Sequence, residues 1–180
     1  MLFLFALAIF ASPTGVTACS VGELRGNPGY QYRVERVRQF LDSAEIIVRA
    51  KAVSEFADGG YWPRIRFDVL ERLRAPDSLV HVELRGSVVD RDDFNRLPIP
   101  YLIVRSAGQR GDCEAREYKL GAEYLLILRP GHERQSPHWK PLAPFNEQVR
   151  GADDPWVAWV RQHVRPSGNP YGGAFEDAID

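Results

Sequence analysis

From Glu45 onward the chain alternates apolar and polar positions with a period of two. In EIIVRAKAVSEF, Ile46, Val48, Ala50 and Ala52 share one side, and Ile47, Arg49, Lys51 and Val53 the other. In PRIRFDVLERL, Ile65, Phe67, Val69 and Glu71 alternate with Arg64, Arg66, Asp68 and Leu70. In LVHVELRG, Val80, Val82 and Leu84 alternate with His81, Glu83 and Arg85. Successive side chains of a strand point to opposite faces, so this pattern, rich in β-branched residues, predicts three strands half buried against a core. Ala57-Asp58-Gly59-Gly60 and Ala75-Pro76-Asp77-Ser78 supply turns between them. AEYLLILRPG predicts a fourth strand over Glu123–Leu128, stopped by Pro130-Gly131. HWKPLAPFNEQV is a weaker fifth, because Pro141 and Pro144 cannot donate to a ladder.

Two segments follow the helical period instead. In QYRVERVRQFLDSA, Val34, Val37, Phe40 and Leu41 form a stripe with arginines opposite, which predicts a short amphipathic helix over one end of the sheet. Near the C-terminus Asp154 stands as N-cap and Pro155 at the first helical position, followed by Trp156, Val157, Trp159, Val160 and His163. Between Ser87 and Asp112 the pattern is irregular, an insertion around Leu97-Pro98-Ile99-Pro100 and the apolar run Tyr101–Val104. The elements together predict a mainly-β fold: a small five-stranded barrel, closed or partly open, with a short N-terminal helix and a C-terminal helix.

Composition narrows the partner more than the fold. At 180 residues, 44% hydrophobic and 26% charged, the chain has the length for one domain with a sizeable core. A net charge of −1 removes the cationic surface that nonspecific nucleic-acid binding requires, so no nucleic-acid partner is expected.

The N-terminus changes the picture further. An uncharged apolar stretch, Leu2–Ala11, leads into small, turn-prone residues ending Val16-Thr17-Ala18, the pattern of a cleavable secretory signal. The expected organisation is a signal peptide at 1–18, a domain at 19–165 and a flexible tail at 166–180. Export to the periplasm or exterior bears on the two cysteines, Cys19 and Cys113. In an oxidising compartment they would pair, closing a loop of about 95 residues worth about 4 kcal/mol in the chain-entropy account. The alternative reads Val16-Thr17-Ala18-Cys19 as a lipoprotein box, with Cys19 acylated, the protein held at the membrane and Cys113 free.

Catalytic chemistry finds little footing. His81, His132, His138 and His163 lack metal-ligand spacing, and no GxSxG, HExxH, CxxC or phosphate-binding glycine loop is present. Asp90, Asp92 and Asp93 lack the glycine and glutamate of a calcium loop and read as a solvated turn. Tyr61 and Trp62 beside the Gly-Gly turn, and Trp139, are candidates for contact with a partner or ligand; as rim residues they would otherwise close the ends of a barrel. The reading is a non-enzymatic protein without a cofactor or a metal of its own.

SAEIIVRAKAV, together with Cys19-Ser20 and Cys113 ahead of Leu120-Gly121 and Tyr124-Leu125-Leu126, resembles the netrin-like domain of the tissue inhibitors of metalloproteinases. The resemblance spans about Cys19 to Leu128. It implies an OB-type five-stranded barrel, a Cys19–Cys113 disulfide and a mature chain beginning at Cys19. It also implies a zinc metalloprotease as partner. In that family the first cysteine's amino and carbonyl groups chelate the protease's zinc and the next side chain enters the specificity pocket, roles that fall on Cys19 and Ser20. A neutral α-amine is a good zinc ligand, and a disulfide would hold it rigidly. Val21 stands where the family has its second cysteine, and the lead to Ala44 is longer. The expected function is an exported protein-interaction module, in its sharpest form a metalloprotease inhibitor. The alternative is an envelope lipoprotein with an OB-type barrel that binds a saccharide, oligonucleotide or lipid fragment.

Overall fold

A computed structural model describes residues 29–57, 59, 62–109, 115–130 and 139–164, with backbone alone at 130 and 139–145. In chain order the elements are α1 (Tyr30–Ser43), β1 (Ile46–Phe56), β2 (Arg64–Arg74), β3 (His81–Arg85), β4 (Ser87–Val88), β5 (Glu117–Tyr118), β6 (Glu123–Pro130), β7 (Trp139–Val149) and α2 (Pro155–His163). A 3-10 turn at Ser106–Gln109 precedes β5.

The fold is mainly β, with a five-stranded antiparallel sheet in the order β3-β2-β1-β6-β7 and two helices. Two short strands beyond the predicted set, β4 and β5, pair in parallel beside it. The weak fifth strand is real and 11 residues long. It tolerates its prolines because it is an edge strand, paired with β6 on one side only. Each step in the sheet is antiparallel, so β3 and β7 run in the same direction, and their Cα atoms approach within 8 Å.

Period-two alternation gives the sheet two apolar sides. On one, Ile47, Leu125, Ile127 and Val149 lie under Val37 and Leu41 of α1 and Trp156, Val157 and Val160 of α2. On the other, Ile46, Val48, Ala50, Ala52, Ile65, Phe67, Val82, Leu84, Leu126 and Leu128 pack together with Tyr118 and Tyr124. Phe67, Tyr118 and Tyr124 meet edge-on at centroid distances of 5.0 to 5.7 Å. Each such side chain withdrawn from water stabilises the fold by about 1.5–3 kcal/mol. Tyr124 to Leu128 are all buried, which is why YLLIL reads as a continuous apolar run: β6 is covered on both sides.

The helices are fixed at their ends. Asp154 Oδ1 accepts from Trp156 N at 2.9 Å, the cap that the sequence predicts for α2. Arg74 Nη1 donates to the carbonyls of Leu41 (2.5 Å) and Ala44 (3.0 Å), satisfying acceptors left over at the end of α1. Strict alternation fails in β2. The register with β1 skips Leu70, setting Arg49 opposite Glu71 and Ala50 opposite Val69. Glu71 therefore leaves the Phe67 side and joins Arg49, which it bonds at 3.0 Å, and Arg161 of α2 at 2.7 Å. Arg49 also reaches Glu123 at 2.5 Å, so an ion-pair chain ties α2 to β1, β2 and β6. Burial alone would push the Glu71 carboxyl up, but the bonds from Arg161 and Arg49 outweigh it and hold it low.

Candidate functional site

Most of the side chains that the sequence singles out fall beyond the described residues. Cys19, Ser20, Tyr61 and Cys113 lie outside them, as do His132 and His138, and Trp139 is described as backbone only, opening β7. Trp62 is 48% exposed at the turn between β1 and β2. His81 is exposed on β3, as its alternation predicts. His163 stacks on Trp159 at 3.9 Å, its Nδ1 2.7 Å from the Trp159 carbonyl. No three His, Cys, Asp or Glu side chains gather as a metal site among the described residues.

The largest concentration of polar chemistry lies instead where residues 92–109 cross the edge of β7. Phe94 makes a parallel bridge to Gln148, so this segment occupies the side of β7 that β6 leaves open. Arg105 anchors it and is 1% exposed. Its Nε donates to Asn146 O (2.9 Å) and its Nη1 to Asp93 Oδ2 (2.9 Å). Its Nη2 donates to Ala115 O (3.2 Å) and Asn146 Oδ1 (3.3 Å). The guanidinium lies 5.2 Å from the Tyr118 ring and 5.4 Å from that of Tyr124, within cation–π range. Asn146 completes the group, donating to Ala115 O and to Tyr118 Oη at 2.9 and 2.7 Å.

The reading of Asp90, Asp92 and Asp93 as a solvated turn agrees with the exposure of Asp90 and Asp92 and needs correction at Asp93. Asp93 accepts from Ala107 N (2.9 Å) as well as Arg105. Asp92 accepts from Gln148 Nε2 (2.7 Å) and Lys119 Nζ (3.2 Å), and the Gln148 bond, then Lys119, draws its carboxyl below the ordinary range. The supposed insertion is thus a structural arm of the sheet as far as Gln109.

On the opposite side of β7, next to Val149, sits Glu147 at 0% exposure. Its carboxylate accepts from Arg105 N at 3.0 Å through Oε1, while Oε2 has no hydrogen-bond partner among the described residues. The Asn95 amide nitrogen donates to Ile103 O at 2.8 Å, and its second hydrogen lies on the side of this carboxyl, where Asn95 favours the charged form too weakly to offset burial. Burial pushes the Glu147 pKa up to about 8, against the nearby positive charge of Arg105. Tyr101 is pushed up to about 12 by burial and then by the charges of Asp154 and Glu147. Nothing in the periodicity flags Arg105, Asn146 or Glu147. The only trace is charged and amide residues at both parities of a strand, where one face of a half-solvated strand should be apolar.

Beside the crossing, a shallow groove of about 540 Å³ opens between Asp92, Phe94, Lys119, Leu120, Gln148 and Arg150. The Arg150 guanidinium covers the Phe94 ring at 4.2 Å. Gly121, at φ +81°, forms the turn at its floor, a conformation that suits glycine. By register, Trp62 and this groove lie toward the same end of the sheet, since at the C-terminal half of β1 Phe56 faces Arg64 and Lys51 faces Glu123. The groove carries both signs of charge, and Lys119 is already engaged with Asp92. Neither the models of known families nor the curated proteins match this chain.

Proposed function

We propose that this chain is an exported, non-enzymatic protein-interaction module of the netrin-like, metalloprotease-inhibitor type, built on an OB-type five-stranded barrel. The observation that carries the reading is the strand order β3-β2-β1-β6-β7 with β3 and β7 drawn together in the same direction. That is the order an OB barrel has when its first strand pairs with both the second and the fourth. Support also comes from the apolar side that no helix covers, the one packed around Phe67, Tyr118 and Tyr124. A sheet buries such a side by curling until its edges meet, and β5, bonded to β4 and to Asn146, spans the two edges. On this reading Cys19 supplies the zinc-chelating amine, Cys113 anchors it through a disulfide, and Ser20 enters the pocket of the protease.

The test is inhibition of zinc metalloproteases by mature protein beginning at Cys19. One residue added before Cys19, or Ser20→Arg, abolishes inhibition and leaves the circular dichroism and melting temperature unchanged. Variants that inhibit as well as the parent overturn the chelation.

The groove and the exposed Trp62 at one end of the sheet favour a second reading, an envelope lipoprotein that binds a saccharide, oligonucleotide or lipid fragment there. Binding of such fragments that is lost in Trp62→Ala and in Arg150→Ala distinguishes it from the first.

A further inference from the structure

Glu147 has no structural task that requires a carboxyl. Its Oε1 holds one backbone N–H, a bond that an amide oxygen makes equally well, and its Oε2 faces protein with no partner among the described residues. An ionised carboxylate in that position is withdrawn from solvent and has no salt bridge among the described residues, an arrangement that strongly favours the neutral acid. The group it holds is Arg105 N, at the point where the crossing segment turns over the edge of β7. From there the Arg105 side chain passes to the other side of the same strand, to Asn146. One residue therefore hooks the segment onto both sides of the edge, and one side of the hook is an acid.

We propose that Glu147 is a proton-operated catch: neutral, it lets the segment from Asp93 to Gln109 lie closed over the edge of β7, and ionised, it favours an open form in which water reaches the carboxylate. The charged groups that act on it are Arg105 and Asp93 from the crossing segment. Its own charge acts on Tyr101 of that segment, whose other charged neighbours are Asp154 and Arg150 from the stretch between β7 and α2. Asp93 is tied to Arg105 and Ala107, and Asp154 to Arg150 N and Trp156 N. Tyr101 ionises near 12, beyond the range in which the catch works. The device is independent of the partner the module takes, and it opens a strand edge able to pair with another chain.

Amide hydrogen exchange on the mature protein and on Glu147→Gln, measured from pH 5 to pH 9 and corrected for intrinsic base catalysis, tests it. In the parent, protection of the Arg105 and Ala107 amides falls about tenfold per pH unit up to about pH 8 and then levels off. In Glu147→Gln it stays flat, and the β1–β6 ladder keeps its higher protection in both. Equal behaviour of parent and variant overturns the proposal. So does protection of the Arg105 and Ala107 amides equal to that of the β1–β6 ladder at every pH, which would report global unfolding alone. If the variant does not fold, the carboxyl carbon shift of Glu147 in the parent decides: a midpoint near 8 supports the catch, and one in the ordinary glutamate range ends it.

Discussion

Arg105→Met removes the charge at the centre of the crossing while keeping most of the side-chain volume. Four hydrogen bonds disappear, to Asn146 O and Oδ1, Ala115 O and Asp93 Oδ2, along with the two ring contacts. Ala115 O keeps its bond from Asn146 Nδ2, and Asp93 keeps Ala107 N, so the groups left without any donor are the Asn146 oxygens. Asp93, whose side chain is 13% exposed, loses its counter-ion. Removing one partner of a buried ion pair costs about 3–5 kcal/mol, most of it the penalty on the charge left behind. For a chain of this size each kcal/mol lowers the melting temperature by about 2–4 °C, so a fall of roughly 10–15 °C is expected. Urea denaturation at pH 6 reads the loss as a lower midpoint at constant slope. Asp93→Asn in the same background separates the pair from the rest, with a coupling of about 1–3 kcal/mol between Arg105 and Asp93. Arg105→Lys recovers little, because one ammonium cannot serve Asp93 and Asn146 together. A loss below about 1 kcal/mol, or strict additivity with Asp93→Asn, would refute the assignment of Arg105 as the anchor.

Three further outcomes follow from the same coordinates. Glu147 has a raised pKa in the folded state, so its penalty on stability is absent below the ordinary glutamate range and grows by about 1.4 kcal/mol per pH unit up to about 8. Unfolding free energies from urea denaturation at pH 5, 7 and 9 should fall in that order for the parent, by several kcal/mol in all, and stay level for Glu147→Gln. Asp154→Ala removes the cap from Trp156 N and the bond from Arg150 N, costing about 1–2 kcal/mol in a thermal melt, whereas Asp154→Asn restores most of it. Gly86→Ala places a methyl 2.5 Å from both Arg116 O and the Tyr118 ring, forcing β4 and β5 apart; a loss of about 1–3 kcal/mol is expected, and a neutral result would show that the two strands give way.

How much of this was legible in the sequence depends on whether local periodicity was enough. The α1 stripe, the Asp154-Pro155 start of α2 and the alternation of β1 and β3 were readable because each depends on which side of one element faces the core, and β6 was readable as an apolar run because both its sides do. Glu71 was misplaced because a register skip at Leu70 is a property of two strands together, invisible in either alone. β7 was undervalued because its prolines count against a strand only where both edges must be paired. The crossing was missed for a related reason. Asp93 and Arg105 are far in sequence from Asn146 and Glu147, each reads as an ordinary surface residue, and the Phe94–Gln148 bridge together with the bonds of Arg105 unites them. Of the candidate contact residues, Cys19 and Ser20 rest on the resemblance and Tyr61, Trp62 and Trp139 on their aromatic rings near turns, and Trp62 alone has a described side chain.

The claim on which the functional account rests is covalent: the chain is exported, begins at Cys19 and is bridged from there to Cys113. Intact mass spectrometry of protein recovered from the envelope or medium, before and after reductant, tests it most directly. The account predicts a single species starting at Cys19 that gains two hydrogens on reduction. A species that retains Met1, carries acyl chains at Cys19 or keeps the same mass under reductant would contradict it.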